Sequence, residues 1–172
     1  MIDDLNKAIE AYHQKWHKLV DVRANKLFFC DYKPTALGWK TKDRAEYDHL
    51  FAELHDLCDI IVDVWMDERW IAKMHLKEPL AGGIQIIKLM QRRPNSTDAV
   101  GLDHVDWYSP RTFRDGEAIL KEESDLKWTH EENGAKWISI WFDGTEAKLR
   151  DDTVIDSCIR ELKAAKQQVL SN

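Results

Sequence analysis

Two stretches of the chain carry the same strand–turn–strand signature. Arg69-Trp70-Ile71-Ala72-Lys73-Met74-His75-Leu76 runs to a break at Pro79 and Gly82-Gly83, then Ile84-Gln85-Ile86-Ile87-Lys88-Leu89. Ala135-Lys136-Trp137-Ile138-Ser139-Ile140-Trp141-Phe142 runs to Asp143-Gly144, then Thr145-Glu146-Ala147-Lys148-Leu149. A strand-like segment and a helical stripe precede each pair, so Leu27–Met90 and Leu102–Arg150 read as two copies of one unit. Strand, helix and further strands, repeated, imply an α+β protein with helices on one face of a largely antiparallel sheet. Two copies sharing that sheet leave a concave cleft on its other face. The division is one domain, 1–172: an N-terminal helix (1–24), module one (25–96), module two (97–152) and a C-terminal helix (153–172).

Charge and composition exclude several functions. A net charge of −6 speaks against non-specific nucleic-acid binding, which needs a basic surplus. No run approaches the ~18 apolar residues of a membrane span, and Met1-Ile2-Asp3-Asp4 does not start a signal peptide. Cys30, Cys58 and Cys158 are too scattered for a disulfide framework or a Cys-x-x-Cys site. They suit reduced thiols and a cytoplasmic location. No P-loop, nucleophile elbow or dinucleotide fingerprint is present.

Ile2, Leu5, Ile9, Tyr12, Trp16 and Leu19 recur at steps of three and four, which predicts a helix over about 2–20 with a narrow apolar seam. The seam docks either on its own domain or on a second copy, giving a homodimer. Asp43-Arg44-Ala45-Glu46 is a capping box. After it Tyr47, Leu50, Phe51, Leu54, Cys58, Ile61 and Val62 extend a helical stripe. Phe113, Ala118, Ile119 and Leu120 mark a shorter helix, and Ile155, Ile159, Leu162 and Val169 the inner side of the last one.

Strand alternation assigns faces. Leu102, His104, Asp106 and Tyr108 share the cleft side, with Val105 and Trp107 toward the helices. Trp137, Ser139 and Trp141 face the cleft, as do Glu146, Lys148 and Arg150. Asp103 is expected on the opposite face from His104, so no Asp–His couple forms within this strand. Asp106, on the same face, can orient the His104 ring. His13 and His17 are spaced for a metal clamp but lack a third ligand, and His49 with Glu53 reads as a solvated pair.

Gly101-Leu102-Asp103-His104-Val105 resembles the first strand of a module in the vicinal-oxygen-chelate superfamily, and Asp143–Leu149 resembles its closing strand. The run Met74–Leu80, the strand Ile86–Leu89 and Gly101–Pro110 resemble the YecM-like proteins of that fold, which have no firmly assigned activity. The resemblance covers about Lys33 to Arg150. It implies βαβββ-type modules in a curved mixed sheet, and a divalent metal held by two His and two Glu from the first and last strands of the modules. Carried over, His104 keeps one ligand position. The other His position falls near Ala36–Trp39, which has none, and the carboxylate positions fall on Lys88 and Lys148. An ammonium has no lone pair to donate, so the usual four-ligand site is expected to be absent. A rearranged site using His104 with Glu146, or His75, is the alternative.

The resulting expectation is a small anionic organic ligand, held by Lys88, Lys148, His104, Asp106, Tyr108 and His75 and stacked on Trp137 or Trp141. Two other readings stand beside it. One is a metal-dependent isomerase, lyase or dioxygenase built on His104. The other leaves both lysines as solvated edge residues in an interaction module.

Overall fold

The computed structural model describes residues 1–22, 32–66, 68–109, 127–132 and 135–150, and positions 152, 153, 155, 156, 158 and 159. The chain forms α1 (Ile2–Asp21), β1 (Lys33–Thr41), α2 (Arg44–His55), β2 (Cys58–Met66), β3 (Arg69–Leu76), β4 (Ile86–Gln91), β5 (Gly101–Tyr108), β6 (Lys127–Glu132), β7 (Ala135–Phe142) and β8 (Thr145–Arg150). The strands make one mixed sheet in the order β2-β3-β4-β1-β5-β8-β7-β6. Module one contributes 2-3-4-1 and module two its mirror, 5-8-7-6. Within each module the first and last strands pair parallel, β1 with β4 and β5 with β8. The modules meet through the antiparallel pair β1–β5.

The α1 seam docks on its own domain. Leu5, Ile9, Tyr12, Trp16 and Val20 are buried in the core shared with the sheet. Trp16 stacks on Trp107 with ring centroids 4.7 Å apart, and Trp107 Nε1 donates to Tyr12 Oη at 3.0 Å. The apolar stripe is therefore occupied within the chain, and a dimer through it loses its rationale. Asp43 caps α2 by accepting from the Glu46 amide at 3.0 Å, while Glu46 accepts from the Lys42 amide at 2.6 Å.

Two strands lie where sequence periodicity misled. The stripe through Cys58, Ile61 and Val62 does not continue α2, which ends at His55; those residues begin the edge strand β2. Likewise β6 was not marked in the sequence. The β7–β8 hairpin turns on Asp143-Gly144, both at positive φ (48° and 76°), the two-residue loop that matches the twist of paired strands. The helix expected at Phe113–Leu120 and most of the C-terminal helix lie outside the described residues. Of the latter's inner side, Ile155 and Ile159 are about half exposed, and Cys158 is the residue that packs, against Ala36 and Ile86 on the concave face.

Candidate functional site

On the face away from the helices, strand register builds two transverse rows. One runs Lys73, Lys88, Gly38, His104, Glu146, Trp141 across β3, β4, β1, β5, β8 and β7. The next runs His75, Ile86, Ala36, Asp106, Lys148, Ser139 across the same strands. The pair Leu37–Val105 lies at the centre of the β1–β5 register. A two-fold rotation there exchanges Gly38–His104 with Ala36–Asp106. The same rotation brings Lys88, beside Gly38, onto Lys148, beside Asp106. The two lysines thus occupy equivalent places in the two modules.

Asp106 is the hub. It is fully buried, and its carboxylate meets Lys88 Nζ at 2.5 Å, Arg150 Nη1 at 3.4 Å and His104 Nε2 at 3.7 Å. The Lys88 contact is off hydrogen-bond alignment, so Oδ2 has no hydrogen-bond partner. Burial alone raises a carboxyl pKa, but Lys88, then His104, Arg150 and Lys148 overcome it and hold Asp106 far below the usual range. Lys88 responds oppositely. Burial lowers it to about 8, with Asp106 resisting and Arg150, Lys73 and Lys148 adding to the fall.

His104 is held from two sides. Its Nδ1 lies 2.8 Å from Asp103 Oδ2. A Cβ placed on Gly38 would stand 2.3 Å from the ring, so only glycine leaves room for it there. Burial and then Lys148 lower the imidazole pKa to about 4, against the Asp103 bond, leaving it neutral at pH 7. A neutral ring that donates from Nδ1 to Asp103 keeps a lone pair on Nε2, and that atom has no hydrogen-bond partner. The Asp103–His104 contact corrects the alternation argument. Gly38 pairs with His104 and Trp39 with Leu102, so Asp103 is the unpaired residue of a β-bulge. The bulge turns Asp103 to the side of His104 and Lys40 (2.7 Å), and moves Leu102 off the cleft to pack against the helix-side core.

Of the other anticipated residues, Lys148 lies 3.6 Å from Glu146 and 5.8 Å from the centre of the Trp137 ring. Trp141 is 53% exposed. His75 and Tyr108 are half-buried on flanking positions, Tyr108 beside Arg150. Gly38, Lys40 and Lys73 were not singled out from sequence, whereas Asp103 and Arg150 were given a face there but no role. Alternation in Arg69–Leu76 and Thr145–Arg150 carries the signal for Lys73 and Arg150; Gly38 has no side chain to carry one. His17 is exposed on α1, whereas His13, with its ring 6.5 Å away, is half-buried against Gly82 and 5.7 Å from the Trp107 ring; His49 Nε2 sits 3.4 Å from Glu53 on exposed helix. A separate cavity of about 300 Å³ opens on the helix side, lined by Asp4, Trp39, Glu46, His49, Leu50 and Glu53 among others. Its carboxylates suit no anion.

No profile of a known protein family matches the sequence, and no curated protein does. Among solved structures, one titled "Structural Genomics, Protein EC4020" superposes with a TM-score of 0.70 at 12% identity, over 92% of this chain and 90% of that one. Methylmalonyl-CoA epimerase from Mycobacterium tuberculosis superposes at 0.51 and 12% identity, over 69% and 86%. A selenomethionine-labelled methylmalonyl-CoA epimerase does so at 0.50 and 12%, over 68% and 92%. The chain shares the glyoxalase-like fold of these epimerases.

The superfamily's metal does not suit these residues. The ligand positions that the resemblance implies hold His104, Lys88 and Lys148, and the two-fold puts Ala36 at the place equivalent to His104: a methyl, one imidazole and two ammonium groups. Glu146, the candidate substitute, already accepts from the Ser139 hydroxyl and lies beside Lys148. No three His, Cys, Asp or Glu side chains cluster for a metal among the described residues.

Proposed function

We propose that the concave face binds a small organic anion, and that within its superfamily the chain stands nearest the YecM-like proteins. The observation that carries the binding reading is the equivalent placement of Lys88 and Lys148 around the His104–Asp106 pair. Lys73 lies directly across from Lys88. Among the described residues at the centre of this face, Lys73, Lys88, Lys148 and Arg150 stand against Asp106, Glu146 and Asp152, a local surplus of one positive charge in an acidic protein. Lys148, 20% exposed, and the neighbouring Trp137 and Trp141 mark the accessible side. There charge-assisted hydrogen bonds orient a carboxylate or phosphate and indole faces cover its carbon skeleton. A metal-dependent isomerase, lyase or dioxygenase is not favoured, because ammonium groups hold the ligand positions. The buried thiols Cys58 and Cys158 suit a reducing compartment such as the cytoplasm.

Titration with succinate, malonate and inorganic phosphate, followed by tryptophan fluorescence and calorimetry, tests the reading. Saturable binding is expected, weakened roughly tenfold or more in the Lys88→Ala, Lys148→Ala double variant, as loss of charge-assisted bonds implies. Equal affinity in that variant, or no binding of any of the three anions, sinks it.

A further inference from the structure

Lys73 and Lys88 are direct cross-strand partners, and both are buried. Like charges facing each other across a sheet cost stability, and the Asp106 carboxylate offsets that cost at Lys88. Lysines buried beside other cations shed a proton readily, which is how proteins make an amine nucleophilic near neutral pH. The surroundings of Lys88 fit that use. Its Nζ lies 2.5 Å from Asp106 Oδ2, and on the far side of the same oxygen, at 3.7 Å, stands the unpartnered Nε2 of His104. The His104 ring is fixed by Asp103 and seated over Gly38. An amine, a buried carboxylate and an imidazole nitrogen thus meet around one oxygen, and Lys148 and Trp141 lie toward the accessible side.

We propose that Lys88 forms an imine with a small oxo acid, whose carboxylate is held by Lys148. This rests on the anion-binding reading and specifies the anion. In the first step the Lys88 ammonium releases a proton to water at the accessible side, leaving the amine. The amine lone pair then forms a bond to the carbonyl carbon as the C–O π bond breaks, and the resulting alkoxide takes a proton from the newly bonded nitrogen. Water returns a proton to that hydroxyl, which leaves as water, and the nitrogen lone pair closes the C=N bond. One ammonium and one carbonyl give one protonated imine and one water, with no oxidant or reductant. The carboxylate of Asp106 faces the nitrogen in its cationic forms, the starting ammonium and the final protonated imine. The lowered pKa of Lys88 agrees with this geometry.

The test is reductive trapping on the full chain, with pyruvate as ligand and sodium cyanoborohydride to reduce the C=N bond, read by peptide mass mapping. One reduced oxo-acid adduct per chain is expected on the peptide containing Lys88, none with lactate, and less with succinate as competitor. Lys88→Arg, which keeps the charge, loses the adduct. Mapping on the unmodified sequence decides the matter even if that variant misfolds, since adducts spread over exposed lysines without preference overturn the proposal. Succinate binding without an adduct on Lys88 overturns the imine alone. Binding of neither succinate nor pyruvate overturns the anion site as well.

Discussion

The two modules place the same backbone around the centre of the sheet and fill it differently. Where module two has His104, Asp106 and Glu146, the equivalent positions of module one hold Ala36, Gly38 and Ile86. Only the lysine, Lys88 or Lys148, is common to both. The difference is complementary. Across the β1–β5 seam Gly38 faces His104 and Ala36 faces Asp106, so the small residues of one module make the space that the polar residues of the other need. A repeated unit fixes the geometry of such a face, while its chemistry comes from the places where the copies have diverged.

The largest break in this asymmetry comes from its hub. Asp106→Ala leaves Lys88 and Arg150 buried with their shared carboxylate gone, and a loss of about 3–5 kcal/mol is expected in denaturant unfolding. A loss below about 1 kcal/mol would mean the ion pair is not formed in solution. Acid comes next. His104 has a folded pKa of about 4, below its ordinary 6.5, so the unfolded chain binds a proton that the folded chain refuses. That contribution is intact above pH 6.5 and is lost as the pH falls through 6.5 toward 4, up to about 3 kcal/mol. His104→Asn should flatten that part of the stability–pH curve. A wild-type curve already flat between pH 6.5 and 4 contradicts the buried neutral ring.

Gly38→Ala probes the complementarity itself. The added methyl meets the His104 ring, and about 1–3 kcal/mol of overpacking is expected, with His104→Ala in the same chain restoring much of it. Additive losses in that double variant would show that the two modules do not interlock here. The smallest effect separates the two lysines. Lys148→Met, on a partly exposed side chain, should change stability by less than about 1 kcal/mol, whereas its buried counterpart Lys88 should not tolerate the same change so easily.

Much of this arrangement was legible in the sequence. Paired strand–turn–strand segments gave the doubled architecture, and simple alternation put His104, Asp106, Trp137, Ser139, Trp141 and Lys148 on one face, where they stand. What stayed hidden depended on long-range contacts. Asp103 reaches His104 only because a register shift suspends the alternation, and the shift is set by pairing with β1. Strand β2 was hidden because Cys58, Ile61 and Val62 sit where the α2 stripe would continue; pairing with β3 outweighs that local period. The importance of Gly38 is an absence of atoms, visible only once the neighbouring ring is placed.

Because β1 and β5 supply the one strand pairing between the halves among the described residues, they act as the spine of a book. The His104–Gly38 contact therefore sits at the joint of the two covers, where both halves of the concave face meet.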